Sequence, residues 1–123
     1  MLSSLIGTPK RMNELLITFT PEFRREYKQL SKKYRSLDAD MQGLIAQLQE
    51  NPTLGTPLGN NAYKIRLAIA SKNKGKSGGA RVITYYISDD TELYLLSIYD
   101  KSEQEKISDN DIKILINKAL GDK

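Results

Sequence analysis

Three strand-like runs stand close together in the second half of the chain, at residues 63–70, 81–88 and 93–99. The first, "YKIRLAIA", alternates apolar and polar side chains, which is the period of a half-buried strand. The other two, "RVITYYIS" and "LYLLSIY", are rich in β-branched and aromatic residues. Because the connections between them are short, successive strands pair as an antiparallel meander. No other feature restricts the possible folds as much.

Helical patterns surround this meander. A short strand at 15–20, "LLITFT", precedes Thr20 and Pro21, which form an N-cap followed by proline at the first helical position. Apolar residues at helical spacing then predict two helices, one through residue 34 and one over 37–50, joined as a helical hairpin. A final helix begins at Ser108, with Asp111 three residues later, and Gly121 closes it.

The predicted element order is therefore β-α-α-β-β-β-α. We expect an α+β fold in which an antiparallel sheet packs against an N-terminal helical hairpin and a C-terminal helix. With 123 residues, the chain has the length of one domain. "MLSSLIGTPKR" does not have the pattern of a secretory signal, and Met12 would be a natural start. We therefore expect residues 1–11 to be an extension and residues 12–123 to be the single domain.

The chain contains no histidine and no cysteine. Histidine is the usual acid–base group near neutral pH and the commonest metal ligand, and thiolates are absent with cysteine. These absences make a transition-metal site improbable and leave carboxylates, Lys, Arg and Tyr for any catalysis. The lack of cysteine also fits the cytoplasm, and no apolar run has the length of a membrane span.

The charges are segregated along the chain. From residue 51 to residue 88 there is no Asp or Glu, while four lysines and two arginines fall inside; acidic residues then outnumber basic ones. This pattern favours a polyanion-binding surface on the middle third. The alternative is a random excess of surface lysine.

The stretch "SKNKGKSGGARVITYY" is the most basic part of this region. Its Gly75-Lys76-Ser77 resembles the end of a phosphate-binding P-loop, but residue 70 is not glycine and a strand follows instead of a helix. Nucleotide hydrolysis is therefore not expected here. Lys72, Lys74 and Lys76 are candidates for binding RNA phosphates, and a mobile, solvated hairpin loop is an equal alternative.

Further candidates lie on the strands and at the end of the last strand. Lys64 and Arg66 are two apart, so both project from the polar face of the first long strand. Arg81 begins the partner strand, although alternation does not decide which face it takes. Tyr99 and Lys101 end the last strand and could stack on a base and meet a phosphate. Solvated surface residues are the alternative for all of them.

The segments "YKIRLAIASKNKGKSGGARVITYYI" and "LYLLSIYDKSEQEKIS" together resemble the RelE/ParE superfamily of toxins from bacterial type II toxin–antitoxin systems. The likeness is greatest to the HigB-like branch of RelE toxins and extends from Glu14 to about Leu120. Toxins of the RelE type are ribosome-dependent endoribonucleases that cut mRNA in the decoding site. The resemblance thus implies an mRNA interferase whose catalytic positions are Lys64, Arg66, Arg81 and Lys101.

One family position departs from this pattern. RelE uses a tyrosine near its final helix, and the matching place here is about Ile107. Either Tyr99 replaces that tyrosine, or the chemistry relies on the cations and the ribosome alone. The expected chemistry is attack of an RNA 2′-OH on the adjacent phosphate, with Lys64 or Lys101 assisting proton transfer and the arginines stabilising the pentavalent phosphate. No metal or cofactor is required.

The resemblance also implies partners. We expect a cognate antitoxin, a helix-turn-helix DNA-binding repressor, to cover the basic face, so that operator DNA is bound only through it. The ribosome and mRNA are the other expected partners, and no membrane is involved. Two alternatives remain: a ParE-like, non-catalytic inhibitor of DNA gyrase, and a simple RNA-binding module or inactive relative.

Overall fold

The computed structural model describes residues 15–72, 78–89, 91–104 and 106–121. The predicted extension at residues 1–11 lies outside these ranges. The elements, in chain order, are β1 (Leu16–Phe19), α1 (Pro21–Lys33), α2 (Leu37–Glu50), β2 (Thr56–Gly59), β3 (Ala62–Leu67), a 3-10 turn (Ala70–Lys72), β4 (Ala80–Ile87), β5 (Glu92–Asp100) and α3 (Asp109–Gly121). The strands form one sheet in the order β1-β5-β4-β3-β2. The α+β class is confirmed, and the three long strands and three helices lie close to their predicted places.

Two details of the predicted sheet are wrong. A short strand, β2, pairs antiparallel with β3 in the segment after α2, where no strand was predicted. Asn60 and Asn61 have φ values of 55° and 64°, so they form a tight hairpin turn that tolerates positive φ. In addition, β1 pairs with β5 in parallel, so the sheet is mixed and not purely antiparallel.

Helices cover both faces of the sheet. α1 and α2 bury Phe23 and Leu44 against one face, together with Val82 of β4. α3 buries Ile112 and Ile116 against the other face, in a second apolar cluster. The two helices of the hairpin are also linked directly, because the Tyr27 hydroxyl donates a hydrogen bond to Asp38. None of the described helices combines the length and apolar character that a membrane span needs.

Thr20 joins β1, α1 and β5. Its Oγ1 accepts a hydrogen bond from the Phe23 amide at 3.2 Å, which caps α1 as predicted. The same hydroxyl donates to the Leu95 carbonyl at 3.0 Å, and the Thr20 amide donates to that carbonyl at 3.2 Å. α1 is held on β5 further along by Glu26, whose carboxylate accepts from the Ser97 hydroxyl at 2.9 Å.

We predict that Thr20→Ala lowers the free energy of unfolding by about 1–2 kcal/mol, because the helix loses its cap and a buried link to β5. Thr20→Ser keeps the hydroxyl and should retain most of the stability. Urea denaturation followed by circular dichroism measures both variants. Equal stability of Thr20→Ala and the wild type would contradict the role given to this hydroxyl.

Candidate nucleic-acid interface

Arg66, Arg81 and Tyr99 form a row across the three long strands. Arg66 of β3 is directly opposite Arg81 of β4, and Arg81 is directly opposite Tyr99 of β5. Directly opposite residues project from the same face of a sheet, with Cβ atoms about 5 Å apart. The strand register therefore places Arg81 on the face of Arg66, which alternation in the sequence left open. Below, these three residues are called the arginine row.

Lys64 lies one pleat away from this row on the same face. Its cross-strand neighbour is Ile83, and the residue opposite Ile83 on β5 is Ser97. Two cations of β3, Lys64 and Arg66, therefore share the polar face as predicted. Lys64 is half-buried and Arg66 is exposed.

Exposure decreases along the arginine row. Arg66 is open to solvent, whereas Arg81 is only 4% exposed and Tyr99 only 6%. An Arg81 guanidinium nitrogen donates to the Ala80 carbonyl at 3.2 Å. The row thus runs from a solvent-accessible cation into the protein interior.

The Tyr99 hydroxyl is buried and has no hydrogen-bond partner within the described part of the chain. Burial raises the pKa of Tyr99, and the nearby charge of Arg81 only partly offsets that effect. The hydroxyl therefore stays protonated at neutral pH and has a proton to donate. Ile107, at the place of the tyrosine used by RelE, is half-buried and packs against the apolar cluster beneath α3.

Lys101 follows β5 directly. Its amide donates to the Gly79 carbonyl at 3.0 Å, which fixes the backbone beside the start of β4. Gly79 has no room for a side chain, since a Cβ there would lie 2.1 Å from the Leu67 carbonyl oxygen. The close packing of these backbones sets where Lys101 leaves the sheet.

A polar cluster around a buried carboxylate lies beside Lys101. The Asp100 carboxylate, fully buried, accepts from the Lys72 ammonium at 2.6 Å and from the Tyr34 hydroxyl at 2.6 Å. It also accepts from the Ser102 hydroxyl at 2.7 Å and from the Ser102 amide at 2.9 Å. The Lys72 ammonium lies over the Tyr34 ring, 5.3 Å from its centre. Below, these four residues are called the Asp100 cluster.

Residues 22–121 match a protein family described as the RelE toxin of the RelE/RelB toxin–antitoxin system. The match covers most of the chain, including every strand of the site. This chain belongs to the RelE toxin family.

Solved structures share the fold of this RelE-family toxin. A double arginine-to-alanine mutant of E. coli toxin RelE in the free state has a TM-score of 0.54 at 17% identity, covering 75% of this chain and 88% of that chain. The toxin–antitoxin complex RelBE2 from Mycobacterium tuberculosis has a TM-score of 0.52 at 19% identity, covering 75% of this chain and 97% of that chain. The intact E. coli RelBE toxin–antitoxin complex has a TM-score of 0.52 at 16% identity, covering 71% of this chain and 95% of that chain. The finer resemblance to the HigB-like branch stays a prediction.

The Asp100 cluster was not predicted from the sequence of this toxin. Lys72 was assigned to RNA binding with Lys74 and Lys76; its side chain is only 7% exposed, and its charge is compensated by Asp100. A role for Lys72 in RNA binding stays a prediction, and Lys74 and Lys76 lie outside the described residues. The one available signal was a lone carboxylate ending the apolar run "LYLLSIY".

Hydrogen bonding controls the ionisation of Asp100. Burial alone would raise the pKa of its carboxyl, but the hydrogen bonds from Lys72, Tyr34 and Ser102 outweigh burial and hold that pKa well below its usual range. The carboxylate is therefore charged at every physiological pH. In the folded toxin it provides the negative charge that the buried Lys72 ammonium needs.

We predict that Asp100→Asn lowers the free energy of unfolding by about 3–5 kcal/mol at pH 7, because the variant leaves a buried ammonium without its counter-charge. The folded-state pKa of Asp100 is below the unfolded value of about 4, so this contribution is complete above pH 4 and is lost as pH falls further. The gap between wild type and variant should accordingly narrow in acid. Denaturation curves from pH 7 down to pH 3 measure it.

Glu103→Gln is the matched control, since Glu103 pairs with Lys33 at 2.7 Å on the exposed surface. Such a pair is screened by water, so little change is expected. The free energies of unfolding of wild type and Asp100→Asn should therefore differ at pH 7 and approach each other towards pH 3. A small difference at pH 7, or a constant one over this range, would contradict the role of Asp100 as the buried counter-charge of Lys72.

Proposed function

We propose that this RelE-family toxin is an endoribonuclease that cleaves mRNA on the ribosome and thereby inhibits translation in the cytoplasm. The observation that carries the proposal is the arginine row, in which two guanidinium groups and a protonated phenol share one face of the sheet. A phosphodiester carries its charge on oxygens that guanidinium groups bind well. Family membership is the second support.

The proposed reaction uses the RNA itself as the nucleophile. The 2′-oxygen attacks the adjacent phosphorus, the new P–O2′ bond forms, and the P–O5′ bond breaks. The products are a 2′,3′-cyclic phosphate and a 5′-hydroxyl. Lys64 or Lys101 assists the two proton transfers, one from the 2′-hydroxyl and one to the leaving 5′-oxygen.

Arg66 and Arg81 stabilise the extra negative charge of the pentavalent phosphate. Arg66 is exposed and makes the first contact. Tyr99 donates its free hydroxyl proton to a phosphate oxygen once the RNA reaches the inner end of the row. Because Arg81 and Tyr99 are buried, RNA reaches them only when the side chains above the row shift.

A cognate antitoxin completes the proposal. The solved neighbours include RelBE complexes, in which a RelE-type toxin is bound to its antitoxin. Here an acidic or amphipathic segment of a helix-turn-helix repressor would cover Lys64 and Arg66. Operator DNA would be bound only through that repressor.

We predict that Arg66→Gln and Arg81→Gln each slow mRNA cleavage on programmed ribosomes by about 100-fold or more, because each removes a donor to the transition-state phosphate. Arg66 is exposed, so its substitution leaves the fold intact. Primer extension on a defined mRNA measures the rate. Arg35→Gln, an exposed arginine between α1 and α2, is the control and should cleave at the wild-type rate.

Cleavage by Arg66→Gln and Arg81→Gln at the rate of Arg35→Gln would remove the arginine row from the mechanism. An absence of cleavage by the wild-type protein would reject the ribonuclease proposal itself. The alternative of a ParE-like toxin would then be tested by a DNA gyrase supercoiling assay. Inhibition of supercoiling by the wild-type protein would establish that alternative.

We further predict that a single 2′-deoxynucleotide on the 5′ side of the scissile phosphate abolishes cleavage at that phosphate and leaves cleavage at other codons unchanged. The substitution removes only the nucleophile. The 3′ ends of products from all-ribose mRNA should carry a cyclic phosphate, which mass spectrometry detects. Cleavage at the deoxy position would exclude 2′-hydroxyl attack.

A further inference from the structure

A groove separates α2 from the outer edge of β3. β2 pairs only with the first part of β3, through Lys64, so no described strand lies beside Ile65–Leu67 on that side. α2 crosses this gap, and the turn before β2 closes one end. The groove encloses about 510 Å³, within the usual range for small-ligand sites.

Gly43 opens the wall that α2 contributes. It is an interior residue of the helix, where glycine is a poor helix former. A Cβ at this position would meet no atom within 4 Å. Packing therefore does not explain the glycine, and its only visible effect is to leave room in the groove.

The chemistry of the lining suits a nucleotide. The half-buried Leu54 provides apolar surface for the flat face of a base, and the exposed Gln47 amide lies at the rim, where base edges need hydrogen-bond partners. Lys64 and Arg66 line the groove where it meets the edge of β3, and their side chains leave the strand towards the face of the arginine row, so their positive charge lies around that edge. Asp40 also lines the groove, but its Oδ2 accepts from the Ser36 hydroxyl at 2.8 Å and from the Ala70 amide at 3.1 Å, so this oxygen is used by the fold.

Arg66 belongs both to this groove and to the arginine row. A strand of RNA that passes around the edge of β3 at Arg66 can therefore place a phosphate at the row and the base of an adjoining nucleotide in the groove. An acidic peptide would satisfy the cations equally well, but it would not account for the continuity of the groove with a phosphate-binding row.

We infer that the groove between α2 and β3 binds one base of single-stranded RNA, next to the phosphate that Arg66 engages. The inference rests on the proposed ribonuclease function and assigns a subsite to it. Gly43 leaves the α2 wall of the subsite without a side chain.

The test is binding of a 2′-O-methyl RNA hexamer, which has no free 2′-hydroxyl and cannot be cleaved, measured by fluorescence anisotropy. Gly43→Leu fills the groove and should weaken binding about tenfold or more, whereas Gln42→Leu should stay within about twofold of wild type. Gln42 is exposed and projects from the opposite side of α2, so Gln42→Leu adds the same side chain elsewhere. Circular dichroism confirms that the variants fold.

A second measurement needs no variant. Titration of the ¹⁵N-labelled wild-type protein with cytidine 5′-monophosphate should shift the amide resonances of Gly43 and Leu44 before those of α3. Unchanged Gly43 and Leu44 resonances at saturating nucleotide would overturn the inference, as would equal hexamer binding by Gly43→Leu and wild type. A third result would also overturn the inference: Gly43→Leu binds the RNA hexamer normally but no longer binds an acidic antitoxin peptide. The groove would then be a protein-docking site.

The binding assay is independent of cleavage. Hexamer binding that depends on Gly43, in a protein that cuts no mRNA on ribosomes, would support the groove while rejecting the ribonuclease proposal. If the wild type cleaves mRNA but Gly43→Leu binds the hexamer as well as the wild type does, the ribonuclease proposal is supported and the groove subsite is rejected.

Discussion

The buried carboxylate of Asp100 is the constraint on which the functional end of the sheet depends. A buried charge is costly unless it is paired and hydrogen-bonded, so the fold must bring donors to this carboxylate. The donors come from three places: Tyr34 after α1, Lys72 in the 3-10 turn and Ser102 after β5. One carboxylate therefore holds together the turn between α1 and α2, the 3-10 turn after β3 and the end of β5, which carries Tyr99 and Lys101.

Local patterns predicted most of this fold because the elements follow local rules. The alternation in β3, the apolar stripes of α1 and α2 and the Thr20 cap all appear in the structure. The parallel pairing of β1 with β5 is different, because it joins residues more than 70 positions apart and no pattern within either strand encodes it. β2 was missed for another reason: its signal was the Asn60-Asn61 turn, and the strand itself has no alternation.

In the candidate site, too, local patterns identified the residues, and tertiary structure decided how they are arranged. Residue type and spacing singled out Lys64, Arg66 and Arg81, but only the register between β3 and β4 decides that the two arginines are neighbours on one face. Burial is also a tertiary property, so the sequence could not distinguish the exposed Arg66 from the buried Arg81 and Tyr99. Lys72 makes the point most clearly. Its charge and its place in a basic stretch suggested RNA, yet its nearest carboxylate is 28 residues away in sequence.

The decrease in exposure along the arginine row bears on how an anion would act there. Like charges directly opposite each other destabilise a sheet, so the pairing of Arg66 with Arg81 adds nothing to folding by itself. A phosphate between them would turn that repulsion into attraction, and the effect would be strongest at the buried end, where water screens least. Binding at Arg66 would thus favour movement of the phosphate inward towards Arg81 and the buried hydroxyl of Tyr99. Two guanidinium groups fixed opposite each other on one sheet face are the electrostatic preorganisation expected of a site whose partner is a polyanion.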